Sequence, residues 1–361
     1  MLIIARTGAR PRANESTLAF EHTPYLVPPK PPPFFRLQAV ASFSVPAELN
    51  VDAADADDPA TVIDYVNDIY AHFRSVEVRG QRLYCARTGA PLSSPINRST
   101  PPRHPTPPVH PALPLFHAPQ ATSFASPTYM KNQADINEKM RAILIDWLVE
   151  VHLKFKLMPE TMYLTVNIID RFLEKKQVIR QKLQLVGVTA MLLASKYEEI
   201  YAPEVRDFVY ITDKAYTKEQ ILQMEATMLN TLEFRITVPT AYVFTNRFLK
   251  VAGAAADAKV SHFATFLAER MLQEAKVLNY TPSMMAAATV NVALRTVRGR
   301  AGAWDRKLEL YSGYTQDALR ACIKDVEELI ANPANTLKAV SKKYALPKFS
   351  EVSALAITPL E

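Results

Sequence analysis

Between residues 140 and 232 the chain is built of stretches whose apolar residues recur at three and four positions, the spacing of one helical face. The clearest spans residues 140–153. It sets Met140, Ile143, Leu144, Trp147, Leu148 and Val151 on one stripe and leaves Arg141, Asp146 and Glu150 outside it, on the expected polar side. Four more stretches follow. Residues 160–174, opened by Pro159, are apolar on most sides and predict a helix packed among neighbours. Residues 181–199 carry Gly187, Ala190, Ala194 and Ser195 among Leu and Val, so other helices can approach closely and this one is the expected hub. A short helix is expected over 204–210. Thr217 with Gln220 then makes a capping box ahead of Ile221, Met224, Met228, Leu229 and Leu232.

The scheme repeats beyond Val238-Pro239-Thr240. Tyr216-Thr217 with Ile221, Met224, Met228 and Leu232 recurs about 98 residues later as Tyr314-Thr315 with Leu319, Cys322, Val326 and Ile330. The small-residue hub recurs as Ala286-Ala287-Ala288 behind a Thr281-Pro282 helix start. Two duplicated helical domains are therefore expected, over 128–238 and 239–345, the second closing with a short helix at 337–344 and a ragged tail at 346–361. Upstream, Asp58 as cap and Pro59 in the first turn predict a helix within 57–77, with Val62, Tyr65, Val66, Ile69, Tyr70 and Phe73 on its apolar stripe. Residues 1–56 are rich in Pro and Ala, show no period and read as a disordered tail. The linker at 78–127 is unusual. Its stretch 79–121 holds ten Pro and five Arg but no Lys, Asp or Glu, and we read it as a retained intron translated in frame, with Gln120 encoded at a splice acceptor. The alternative is a genuine Pro-rich loop open to proline-directed phosphorylation at Ser94, Thr100 and Thr106.

Composition narrows the class. With 48% apolar residues and only 8 Gly, 361 residues can fill a sizeable helical core. No run reaches the roughly 18–20 apolar residues of a membrane span. Met1 to Ala5 is too brief for a signal-peptide core and is followed at once by Arg6. Cys85 and Cys322 provide neither a disulfide framework nor a zinc site, and no metal or cofactor is expected. The net charge of +6 is spread among nearly as many acids, without the basic block that nucleic-acid binding calls for.

No catalytic set stands out either. The chain lacks a Gly-rich phosphate loop, Gly-x-Ser-x-Gly and His-Glu-x-x-His, so it does not read as an enzyme. Glu198 and Glu199, at a helix end, read as solvated or ion-paired rather than as an acid/base pair. Lys196 and Glu225 fall at the rim of packed faces, where an intradomain salt bridge is the plain alternative to a binding role.

The run Met140-Arg141-Ala142-Ile143-Leu144 followed by Asp146-Trp147-Leu148 resembles the signature opening of the cyclin box, and Leu192-Leu193-Ala194-Ser195-Lys196-Tyr197-Glu198-Glu199 resembles its second hallmark. The likeness continues from Tyr129 to about Tyr344, and residues 207–216 are most similar to B-type, mitotic cyclins. It implies an all-α fold of tandem five-helix cyclin boxes with an additional N-terminal helix. It also implies a regulatory subunit that binds and activates a cyclin-dependent serine/threonine kinase at the G2/M transition, resident in nucleus and cytoplasm. By resemblance, Lys196 and Glu225 hydrogen-bond the kinase's regulatory helix, Leu193, Tyr197, Leu229 and Phe234 bury it, and the N-terminal helix adds Tyr65 and Ile69. Met140, Leu144, Trp147 and Glu150, with Leu183 and Gln184, correspond to a groove for Arg-x-Leu segments of substrates or inhibitors. B-type cyclins also carry a destruction signal, yet neither Arg-x-x-Leu nor Lys-Glu-Asn occurs in residues 1–56, so either the true N-terminus is missing or destruction is programmed otherwise. The competing readings are a cyclin-fold general transcription factor, which would call for a basic face and a zinc ribbon, and a helical scaffold without a kinase.

Overall fold

In a computed structural model, residues 49–55, 63–88, 123–299, 303–332 and 336–360 are described. Among them are twelve α-helices and no strand. Helix α1 (Ile63–Thr88) precedes the first box, α2 (Glu138–Phe155), α3 (Pro159–Lys175), α4 (Arg180–Glu198), α5 (Val205–Ile211) and α6 (Lys218–Thr231). The second box is α7 (Ala241–Val251), α8 (Ala258–Leu272), α9 (Pro282–Arg298), α10 (Arg306–Ser312) and α11 (Gln316–Ala331), and α12 (Ala339–Tyr344) follows.

The helix starts are written locally. Asn137 accepts from Met140 N at the head of α2, Thr217 and Gln220 close a reciprocal capping box on α6, and Thr281 and Thr315 cap α9 and α11. The repeat is thus visible in the caps as well as in the apolar periodicity. In each box one small-residue helix is the hub: α4 packs against α2, α3, α5 and α6, and α9 against α7, α8 and α11. At Gly187 an added Cβ would lie 2.7 Å from Leu144 Cδ1, so glycine there lets α4 approach α2.

Four expectations need correction. Arg141, placed by its pattern on a polar face, is fully buried. Its guanidinium holds Asp170 of α3 through two bonds of 2.6 and 2.7 Å and donates to Leu272 O of the second box at 3.1 Å, while Tyr129 Oη donates to Asp170 at 2.7 Å. Burial alone would lower the Arg141 pKa, but Asp170 outweighs it and the charge is retained. Helix α1 runs on to Thr88, past the expected end at 77. Its stripe also divides: Tyr70 and Phe73 face Phe244 of α7, whereas Tyr65 and Ile69 are exposed. The end of the stretch read as a disordered tail, residues 49–55, is docked on the second box, where Asp52 is buried against Arg247. Finally, residues 346–360 are not ragged: Val352 is fully buried and the Phe349 ring lies 4.9 Å from that of Tyr344, tilted by 42°. The cap at Asp58, Pro59, Val62 and most of the Pro-rich stretch, with its intron reading, lie outside the described residues.

Candidate protein-binding site

The last turn of α4 and the middle of α6 bring Lys196 and Glu225 together. Lys196 Nζ lies 2.7 Å from Glu225 Oε1, with the lysine side chain 47% exposed and the glutamate 12%. In the free chain they therefore form the intradomain salt bridge. Around them the predicted apolar set is graded. Leu193 is buried and Leu229 half-buried, whereas Tyr197 and Phe234 are 49% and 67% exposed. Tyr197 is steadied by a 2.5 Å contact between its hydroxyl and Thr237 Oγ1.

Phe234 owes its exposure to the backbone. Glu233 and Phe234 have φ of 54° and 58°, successive left-handed residues after α6, a conformation that costs a side-chain-bearing residue about 1–2 kcal/mol. The turn is closed by Phe234 N donating to Leu229 O at 2.9 Å, which aims a large aromatic ring outward. Sequence reading missed Ile200 and Tyr201, which follow α4 and are 90% and 92% exposed. Their signal was two adjacent large apolar residues in a break before Pro203, with no helical period to absorb them. Exposed apolar residues gathered near one helix end mark a contact surface more than a fold requirement.

Glu198 ends α4 and Glu199 follows it, both half-buried. Glu199 accepts from Met158 N at 2.7 Å and Thr161 Oγ1 at 2.5 Å, so it serves the start of α3. Burial, with Glu160 and Glu199 nearby, raises the Glu198 pKa.

The second set lies on α2 and the start of α4. Leu144 and Leu183 are buried, Met140, Trp147 and Gln184 are half-buried, and Glu150 is exposed. That gradation, apolar below and polar at one end, suits a shallow groove. Glu150 is 3.7 Å from Lys342, a neighbour the sequence did not supply. Among the described residues no group of His, Cys, Asp and Glu is arranged to hold a metal ion, and no helix is long and apolar enough to cross a membrane.

Residues 113–237 match the cyclin N-terminal domain and residues 239–358 the cyclin C-terminal domain. The chain is 42% identical over 303 residues to G2/mitotic-specific cyclin-2 of Medicago sativa, covering 84% of this chain and 78% of that one. It is likewise 42% identical over 304 residues to Cyclin-B2-4 of Arabidopsis thaliana, covering 83% of this chain but 60% of that relative's length. The X-ray structure of a viral cyclin from herpesvirus saimiri superposes with a TM-score of 0.52 at 20% identity, over 56% of this chain and 90% of that one, a likeness of fold. With its tandem all-helical boxes and its mitotic B-type relatives, the chain belongs to the cyclin family.

Proposed function

We propose that the protein is a non-catalytic regulatory subunit that binds and activates a cyclin-dependent serine/threonine kinase in control of the G2/M transition. The observation that carries this is the Lys196–Glu225 pair, its lysine half-exposed, set with the outward rings of Tyr197 and Phe234. The resemblance supplies the partner element, the kinase's movable regulatory helix. Binding that helix in its inward position lets the kinase form its own Lys–Glu ion pair and open its activation loop. Turning a mostly inactive kinase fully on takes roughly 5 kcal/mol of preference for the active state, within reach of an interface above about 2,000 Å². Nucleotide and magnesium belong to the kinase.

Substrate recruitment is assigned to the groove of Met140, Leu144, Trp147, Leu183, Gln184 and Glu150. An Arg-x-Leu segment sets its Leu on the apolar part and its Arg toward Glu150, displacing Lys342 from that carboxylate.

The test is activation of a purified mitotic cyclin-dependent kinase titrated with the full-length chain. Saturable activation is expected, and Lys196→Ala with Glu225→Ala together should weaken it at least tenfold while helical content is unchanged. A chain that never activates the kinase refutes the function; activation untouched by the double substitution removes this pair from the interface.

A further inference from the structure

Helix α1 is seated on the second box in part by apolar contact. Tyr70 and Phe73 meet Phe244 at ring-centroid distances of 6.0 and 6.3 Å, while Tyr65 and Ile69 are exposed. An amphipathic helix depends on tertiary contacts for most of its stability. Two buried carboxylates, one on each side of the Tyr65–Ile69 stretch in sequence, add to the apolar seat.

The first is Asp52, 2% exposed, in the short docked segment 49–55. It accepts both arms of Arg247 at 2.5 and 2.6 Å, and Lys250 joins at 2.9 Å. Burial opposes its ionisation, but the hydrogen bonds and charges of Arg247 and Lys250 prevail and hold its pKa below the usual carboxylate value. The Arg247 guanidinium also lies 5.2 Å from the Tyr70 ring of α1 and 5.1 Å from the Tyr311 ring of α10. Tyr311 Oη accepts from Val51 N and donates to Leu49 O, each at 3.2 Å. One buried cation thus joins the docked segment, α1, α7 and α10.

The second is Glu77 of α1, 3% exposed. Its carboxylate accepts from Ser283 N at 2.8 Å and Ser283 Oγ at 2.7 Å, at the first turn of α9. Ser283 Oγ is also 2.8 Å from Tyr314 Oη, and the Arg74 guanidinium of α1 lies 5.4 Å from the Tyr314 ring. Gly313, at φ 68°, leaves room for that guanidinium: a Cβ there would fall 2.6 Å from Arg74 Nη1.

We infer that Asp52 and Glu77 are positioning residues, two polar anchors that fix α1 on the second box so that Tyr65 and Ile69 are presented to the kinase in one frame with Lys196 and Glu225. This rests on the kinase-binding reading above. Neither anchor touches the kinase in this scheme; both act through the seat of α1.

The test uses the full-length chain as wild type, Asp52→Asn, Glu77→Ala, Tyr65→Ala/Ile69→Ala, and the combination of Asp52→Asn with the last. Hydrogen exchange is read on each chain alone, and affinity for a purified mitotic cyclin-dependent kinase is read in parallel. Either anchor substitution should speed exchange of α1 amides about tenfold while those of α4 and α9 hold, and should weaken kinase binding by a similar factor. In the Tyr65→Ala/Ile69→Ala background, Asp52→Asn should add little further loss, because the contacts it positions are already gone. A merely structural role would instead give additive losses or slacken the whole body, and either result overturns the inference, as does unaltered α1 exchange. A wild-type chain that binds no kinase overturns the functional reading, and it does so independently of the exchange result.

Discussion

The buried Arg141 offers the sharpest check on how this body is held together. Its guanidinium spends two bonds on Asp170 and donates to Leu272 O and Gln273 O, so it joins α2 to α3 and the first box to the second. Arg141→Met keeps the volume of the stem and removes the charge, leaving Asp170 buried with Tyr129, among the described residues, as its remaining hydrogen-bond donor. Removing one partner of a buried ion pair costs about 3–5 kcal/mol, chiefly because the other charge stays in a low-dielectric site. For a body of this size that is a fall of roughly 6–20 °C in Tm. Arg141→Met/Asp170→Leu removes both charges and should recover at least half of the loss, since a pair replaced by apolar groups is often close to neutral. Urea unfolding followed by circular dichroism measures both variants. A single-substitution loss under about 1 kcal/mol, or a double variant as unstable as the single, would refute the claim that an uncompensated Asp170 is what the arginine prevents.

Two further outcomes follow from close contacts. Gly187→Ala sets a Cβ 2.7 Å from the flexible end of Leu144; the helix-propensity gain of about 1 kcal/mol offsets much of the overpacking, so the urea midpoint should move little. Leu144 must nevertheless shift, and titration calorimetry with an Arg-x-Leu peptide should show weaker binding; equal affinity would place Leu144 outside the groove. Glu77 predicts a pH effect. Burial lifts its pKa to about 7 from an unfolded value of 4.5, with the Ser283 hydrogen bonds and Arg74 pulling the other way. Between those values the folded chain binds a proton that the unfolded chain does not, so stability falls as pH rises from about 5 through 7, by about 2 kcal/mol over that range, and levels off about a unit above 7. Glu77→Gln should flatten the difference between pH 5 and pH 7, and an unaltered slope in denaturant unfolding would show that Glu77 does not titrate there.

What the sequence made legible is local. Caps at Thr217, Thr281 and Thr315, the Pro at the heads of α3 and α9, and the period of the apolar residues are decided within one or two helical turns, and each lies where the pattern placed it. What it hid depends on partners far along the chain. Arg141 is buried because Asp170 lies 29 positions on and a carbonyl 131 positions on, and Asp52 is ordered because Arg247 lies 195 positions on. A charged residue carries no mark of such a partner in its own neighbourhood. The stripe on α1 could not say which of its members face the core, and the outward aim of Tyr65 and Ile69 was implied only by the family. Ile200 and Tyr201 were passed over because a loop offers no period against which an apolar residue stands out.

On the proposed kinase-binding reading, the Lys196–Glu225 pair would have a physical role in both free and bound states. In the free chain the two groups satisfy each other across 2.7 Å, the lysine 47% exposed and the glutamate 12%. The lysine end lies open to solvent, so kinase backbone groups could reach the pair and take over its hydrogen bonds. On the proposed kinase-binding reading, affinity would come from the surrounding apolar residues, Tyr197, Phe234 and the half-buried Leu229, while the charged pair would set register and reject ill-fitting partners. Such a division works only if those residues keep their relative places. The buried ties of Arg141 and Asp170 and the contacts of Asp52 and Glu77 join α1, α2 and α3 to the second box in the free chain, so on the proposed kinase-binding reading little ordering entropy would remain to be lost on binding.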